Sequence, residues 1–437
     1  MEQKINIIGA GLAGTECAYI LAENGYKVKL YEMKPKKFSP AHQNNNFAEL
    51  VCSNSLKSEE LTNACGLLKY EMAQMGSLMV EAAKATKVKA GNALAVDREK
   101  FSEYITEKIK QNKNIEIVHD EITDLKALEG IVVVATGPLT SDALSENIAK
   151  IIGEEKLYFY DAAAPIILAD SIDMNVAYSK DRWKDDTPAD YLNLAMTKEE
   201  YDVFYNELIN ARSAERHSFD TLEKIEHFEG CMPIEAMALR GEKTLLFGPL
   251  KPVGLRRDKD HKPYAVVQLR AENESKTMYN LVGFQTSLAF PEQKRVFSLI
   301  PGLEKAEFIR YGVMHKNTYI NAPKLLNDCF KLKNTNIYFA GQISGVEGYV
   351  ESAASGLMVA YSIMYGKCLF GNTTMLGALA KYISTQTKDF QPMNANFGII
   401  EPLDRKIKDK KVKYEEYAKR SIESIKEIKN ELENTRR

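Results

Sequence analysis

The sequence has little tryptophan and little histidine, with 1 Trp and 6 His in 437 residues. It has almost no net charge, −2 from 58 basic and 60 acidic residues. That balance excludes a protein that coats nucleic acid through a global basic surface, although it leaves room for one local basic strip. The 6 cysteines, at 17, 52, 65, 231, 329 and 368, show no C-x-x-C spacing. A disulfide framework or a zinc site is therefore not expected, and no metal site is assigned. No apolar run approaches the roughly 20 residues of a membrane span. The chain opens directly into a strand without a leader pattern, so a cytoplasmic protein is expected. There is no internal repeat and no low-complexity tract. The ordinary apolar and charged fractions, 45% and 27%, describe a globular chain long enough for two or three domains.

What is present begins at Ile5-Asn6-Ile7-Ile8, a short strand to be buried on both faces. Gly9-Ala10-Gly11-Leu12-Ala13-Gly14 follows as a G-x-G-x-x-G turn, then a helix ending near Gly25, then Val28-Lys29-Leu30-Tyr31 stopping at Glu32. In a dinucleotide-binding unit each part has a physical task. Gly9 allows the tight turn, Gly11 lets a pyrophosphate reach the backbone, and Gly14 lets helix and strand pack closely. Glu32 is placed to accept from a ribose hydroxyl, and the N–H groups at the helix start favour phosphate. The motif alone does not separate FAD from NAD.

Further on, residues 61–85 read as one helix with Leu67, Leu68, Met72, Met75 and Met79 on its core face. Asp97 is set to cap the following helix. The run Ile131-Val132-Val133-Val134 reads as a central parallel strand, and its end in Ala135-Thr136-Gly137 resembles a second cofactor-side turn. Near the other end, Ile337-Tyr338-Phe339-Ala340-Gly341-Gln342 leads through a glycine-rich turn into a helix from Val350 to Tyr365. A closing element of this kind favours FAD as the tightly held cofactor. The fold class expected is α/β, a Rossmann-like FAD-binding domain with a parallel sheet, interrupted by an inserted α+β domain. The expected domains are 1–170 and 308–400 for FAD, 171–307 for substrate, and a helical tail over 401–437. Thr244-Leu245-Leu246-Phe247 and Tyr264–Leu269 read as strands of the insert.

Four features carry candidate chemistry, each with a plain reading beside it. Cys52 precedes Ser53-Asn54-Ser55, where a serine caps the next helix; a cysteine at a helix N-terminus is activated, whereas a buried one is inert. Cys231 lies between Gly230 and Met232-Pro233, on a turn. Lys251, Arg256 and Arg257 stand in a strip with five basic and two acidic residues over 250–263, either a solvated loop or a surface for phosphates. His315 is either a site residue or a structural one.

Taken together, the segments Ala48–Ser55, Glu229–Glu235, Leu246–Leu255, Leu281–Thr286, Arg310–His315 and Ala340–Gln342 resemble the folate- and FAD-dependent tRNA (uracil-5-)-methyltransferases. The resemblance implies that methylenetetrahydrofolate supplies carbon, reduced FAD supplies electrons, and NAD(P)H reduces the flavin. It implies that Cys52 and Cys231 are catalytic, with Cys231 attacking uracil C6 and Cys52 beside the flavin. It also implies that His315 packs on the flavin and that Gly9–Gly14, Glu32, Gly341 and Gln342 hold FAD. The RNA is then tRNA, with a ribosomal RNA uridine as the alternative substrate. A flavin oxidoreductase using NAD(P)H and no RNA is the reading of a different class.

Overall fold

The computed structural model describes residues 4–153, 157–162, 164–182, 189–214, 232–258, 262–273, 275–312, 314–386 and 390–436, with backbone alone for 157–162, 314–316, 435 and 436. Five parallel strands form the first sheet, in the order Ile337–Phe339, Ile131–Val134, Ile5–Ile8, Val28–Glu32, Ile115–His119. Ile7 stands between Leu30 and Val133, and all three are fully buried. The unbroken β-branched runs follow from this, because helices cover both faces of a parallel sheet. The helix Leu12–Glu23 packs along Tyr349–Tyr365. Their contact is close: a Cβ added to Gly356 would sit 2.1 Å from the Ala13 carbonyl oxygen.

The second sheet has six antiparallel strands in the order Tyr178–Ser179, Tyr191–Met196, Ala265–Ala271, Met278–Leu281, Ile166–Leu168, Phe308–Arg310. It has its own core, with Tyr201, Phe204, Ile234, Leu245, Leu250, Phe284 and Phe297 buried together. A two-stranded ribbon pairs Leu157–Ala162 with Met314–Tyr319 and sets His315 opposite Asp161. A small sheet joins Ser55–Ser58, Ala93–Val96 and Lys87–Val88. The C-terminal helix, Lys410–Arg436, buries Tyr417, Ala418, Ser421 and Ile425. Among the described residues no helix is long and apolar enough to cross a membrane.

The α/β class with an antiparallel insert is as expected, and three local expectations are corrected. Residues 61–85 form two helices, Ala64–Gln74 and Leu78–Ala85. Gly76 breaks them at φ +79°, and Ser77 restarts the chain by accepting from the Val80 amide at 3.2 Å. The stripe Leu67, Leu68, Met72, Met75 and Met79 is nonetheless buried throughout, since both helices face the same core. Thr244–Phe247 is a short helix and not a strand. A four-residue run with three apolar side chains fits either period, and the flanking Gly241 and Gly248 close the turns that fix the helical one. Neither Ser53 nor Ser55 caps a helix: Ser55 opens a strand, and the cap is Asn63, accepting from the Cys65 amide at 3.1 Å. Asp97 caps as expected, accepting from Lys100 at 3.2 Å.

Candidate active site

A cleft lies at the C-terminal ends of the parallel strands, where open α/β sheets bind ligands. It encloses about 1110 Å³, mouth included, and its walls include Gly9 to Ala13, Glu32, Ala135-Thr136-Gly137, Gly341, Gln342 and Tyr349. The three glycines of the first turn have three different surroundings, and Gly14, expected among the cofactor-binding residues, does not line the cleft. Gly9 has φ +97°, and a Cβ there would lie 2.7 Å from the Ala135 oxygen. A Cβ at Gly14 would lie 1.8 Å from the Gly9 oxygen, so Gly14 seats the helix on the strand without lining the cleft. A Cβ at Gly11 would meet nothing within 4 Å, so the backbone there is open to a ligand. Gly11 is the N-cap of Leu12–Glu23 and offers no side chain to its first-turn amides. Those N–H groups are therefore ready for a phosphate.

Glu32 is buried, and its contacts are with the backbone around the glycine turn. Its two oxygens accept from the Ala10 amide at 2.9 Å and the Lys34 amide at 3.0 Å. It thus braces the glycine turn, and each oxygen keeps a second lone pair for a hydroxyl. On the opposite wall, the Gly341 amide donates to Ser355 Oγ at 2.6 Å. Gln342 Nε2 donates to both Glu347 carboxylate oxygens at 2.8 Å. An open cradle at a helix N-terminus, a carboxylate on the cleft wall and an extended, mainly apolar cleft fit an adenine dinucleotide with a flavin ring.

Cys52 sits in the loop before Ser55–Ser58 and not at a helix N-terminus, so the helix-dipole argument for its activation falls. Other groups hold the loop. The Ala48 amide donates to the Ala10 carbonyl at 2.9 Å, tying the loop to the glycine turn. Tyr349, which lines the cleft, accepts at its hydroxyl from the Cys52 amide at 2.6 Å and the Ser53 amide at 3.3 Å. Burial, with the neighbouring Cys52 adding to it, pushes the Tyr349 phenol well above its ordinary range. It therefore stays protonated and available to both amides. Ala48, Glu49 and Val51 of the loop also line the cleft, whereas Cys52 itself does not.

Three arginines surround this loop. Arg98 donates to the Leu50 carbonyl and pairs with the buried Glu272 at 2.9 Å. Burial alone would lower its pKa, but Glu272, Tyr349 and Cys52 together hold it above the usual value. Arg270, from the antiparallel sheet, donates to Asn54 Oδ1 at 2.9 Å and to Ser53 Oγ at 2.8 Å. Arg310 donates to the Ala41 carbonyl at 3.3 Å; burial and then the neighbouring Arg98 lower its pKa. The loop thus joins the two sheets, with fixed positive charge on the side of Cys52. Tyr349, Arg98, Arg270 and Glu272 were not singled out from sequence, because each joins the Cys52 loop or its partners over 40 residues or more and leaves no local signature.

Cys231 lies outside the described residues, as does the side chain of His315. The chain just after Cys231 is firmly held. The Ile234 amide donates to the Gln285 carbonyl at 2.7 Å. Glu235 accepts from Thr286 Oγ1 at 2.9 Å and from the Ser287 amide at 2.7 Å. Ile234 and Glu235 of one distinctive sequence segment are therefore partners in space of Gln285 and Thr286 of another. Arg256 and Arg257 are exposed and Lys251 half-buried on the strip after Phe247. Among the described residues the five cysteines form no disulfide, and no cluster of metal-ligating side chains occurs.

Residues 4–366 match the family model described as glucose inhibited division protein A. The chain is 57% identical over 435 residues to the methylenetetrahydrofolate–tRNA-(uracil-5-)-methyltransferase TrmFO of Acetivibrio thermocellus, covering 98% of this chain and 99% of the relative. It is 55% identical over 440 residues to the protein of the same name from Lactobacillus delbrueckii subsp. bulgaricus, covering 99% of each. Aquifex aeolicus GidA in its form II crystal superposes with a TM-score of 0.69 at 16% identity, over 98% of this chain and 74% of that one; this likeness shows the fold alone. Identity above one half along nearly entire chains, in a molecule that carries the dinucleotide cradle and the braced Cys52 loop, places the chain in the methylenetetrahydrofolate–tRNA-(uracil-5-)-methyltransferase family.

Proposed function

We propose that this protein transfers the one-carbon unit of methylenetetrahydrofolate to C5 of a uridine in tRNA, the T-loop uridine, and delivers it as a methyl group. The observation that carries the reading is Tyr349: one side chain both walls the dinucleotide cleft and holds the backbone of Cys52. Gly9–Ala13, Glu32, Gly341 and Gln342 would hold FAD. Bound there and reduced by NAD(P)H, FAD supplies the two electrons by which methylene differs from methyl.

The protein's own groups do the rest. C5 of uracil is a weak carbon nucleophile. The Cys231 thiolate adds to C6, the π electrons move to the O4 enolate, and C5 then attacks the methylene carbon as its bond to one of the two folate nitrogens opens. Cys52 handles the C5 proton or the one-carbon adduct beside the flavin site, within the field of Arg98 and Arg310. Loss of the C5 proton breaks the remaining carbon–nitrogen bond and releases tetrahydrofolate, and a hydride arriving at the exocyclic methylene carbon expels the Cys231 thiolate from C6 and restores the C5–C6 double bond. Lys251, Arg256 and Arg257 meet RNA phosphates.

The test is transfer of label from methylenetetrahydrofolate to unmodified transcripts. Label in tRNA at the T-loop uridine supports the reading. Label in ribosomal RNA alone assigns the same chemistry to the other substrate. NAD(P)H turnover with no RNA labelled would leave a flavin oxidoreductase.

A further inference from the structure

The stretch from Leu239 to Arg257 is unusual on this surface. It carries five cations, Arg240, Lys243, Lys251, Arg256 and Arg257, against one acid, Glu242. It also exposes large apolar groups: Phe247 is 82% exposed, Leu239 62% and Val253 53%. Phe247 is the most exposed of the large apolar side chains among the described residues.

This exposure comes from a rigid mount. Phe247 ends the short helix Thr244–Phe247, and the neighbouring Leu245 and Leu250 are fully buried in the core of the antiparallel sheet. The Leu250 amide closes back on the Leu245 carbonyl at 2.9 Å. Below the following turn, Arg182 donates to the carbonyls of Lys251 at 2.9 Å and Val253 at 2.7 Å, and to Gln268 Oε1 at 3.0 Å. A Cβ on Gly254 would lie 2.4 Å from the Arg182 oxygen. The turn is thus pinned from inside while its cations and its aromatic ring point away from the core.

A protein interface depletes charge at its centre, and this face does the opposite. Cations beside an exposed ring are the chemistry of a single-stranded nucleic-acid site: cations neutralise phosphates while a base stacks on the ring. RNA loops are read in this way, by bases splayed onto aromatic side chains. The face also starts eight residues after Cys231 in the chain. Resting on the function proposed above, we infer that Phe247 is a stacking platform for an unpaired base of the tRNA, with Arg240, Lys243 and Lys251 on the flanking phosphates.

The experiment uses the full chain with FAD, an unmodified tRNA transcript, and variants Phe247→Ala, Phe247→Leu and Phe247→Trp. The Ala and Leu variants are expected to weaken tRNA binding about tenfold, with the dependence of log Kd on log salt unchanged, and the Trp variant to bind within about twofold of wild type. The flavin spectrum and thermal melt report whether each variant is folded. Ala and Leu variants that bind as wild type does overturn the inference while wild-type methylation of tRNA leaves the function standing. Loss of wild-type self-association in the Ala variant, with tRNA affinity intact, also overturns it by assigning the face to a second copy. Failure of the wild-type chain to bind or methylate tRNA removes the function itself.

Discussion

Two buried carboxylates, Glu16 and Glu71, hold helix starts from a distance. Glu16 accepts from the Met79 amide at 2.8 Å, and Glu71 accepts from the Met375 and Leu376 amides at 2.8 Å and from the Ser421 hydroxyl. Burial pushes both carboxyls up to about 7 from 4.5, against the lowering by those donors. A carboxyl raised in the folded state binds more protons folded than unfolded between those two values. Its stabilisation is complete below about 4.5 and is lost as pH rises through about 7. Chemical denaturation should therefore show stability falling between pH 4.5 and 7, and Glu16→Gln with Glu71→Gln should flatten that fall. At the site itself, Tyr349→Phe leaves the Cys52 and Ser53 amides without their acceptor. A loss of about 1–3 kcal/mol in denaturation and a lower kcat with FAD still bound are expected. Cys231→Ala should abolish the covalent adduct with 5-fluorouridine tRNA and leave the yellow colour; adduct at the wild-type level would remove Cys231 as nucleophile.

At the level of elements, the cleft depends on how closely two helices approach. Gly356 on Tyr349–Tyr365 lets that helix meet the backbone of Ala13, which is itself in the cleft wall. Gly356→Ala forces the helices apart and should cost about 1–3 kcal/mol. It should also lower FAD occupancy, read from the ratio of flavin to protein absorbance. The glycine-rich first turn and its helix were legible in sequence because the glycine spacing and the apolar runs that define them lie next to one another in the chain and each glycine has a fixed geometric task. The Cys52 loop was not, since the groups that hold it, Tyr349, Arg98 and Arg270, come from three distant elements. The short run 244–247 was misread for a related reason: its helical form is set by the turns around it and by Leu245 fitting a core made elsewhere.

Across the whole molecule, near-neutral net charge hides a local asymmetry. The basic strip lies on the antiparallel sheet's side and the dinucleotide cleft on the parallel sheet's side, with the Cys52 loop bonded to both. Neutralising Arg256 and Arg257 together should weaken tRNA binding uniformly across sequences and reduce the salt slope by about 1 to 2. An unchanged slope would take the two arginines out of the RNA contact.

The sequence by itself determined the strand–turn–helix start, the parallel sheet, the antiparallel insert's composition and the family, because periodicity, glycine geometry and long irregular segments are properties of neighbours along the chain. Only the tertiary structure decided what surrounds Cys52, why Ile234 and Glu235 meet Gln285 and Thr286, and which apolar side chains remain outside. Those outcomes depend on hydrogen bonds and burial between residues tens to hundreds of positions apart, and the energy of such a contact is written into neither partner alone.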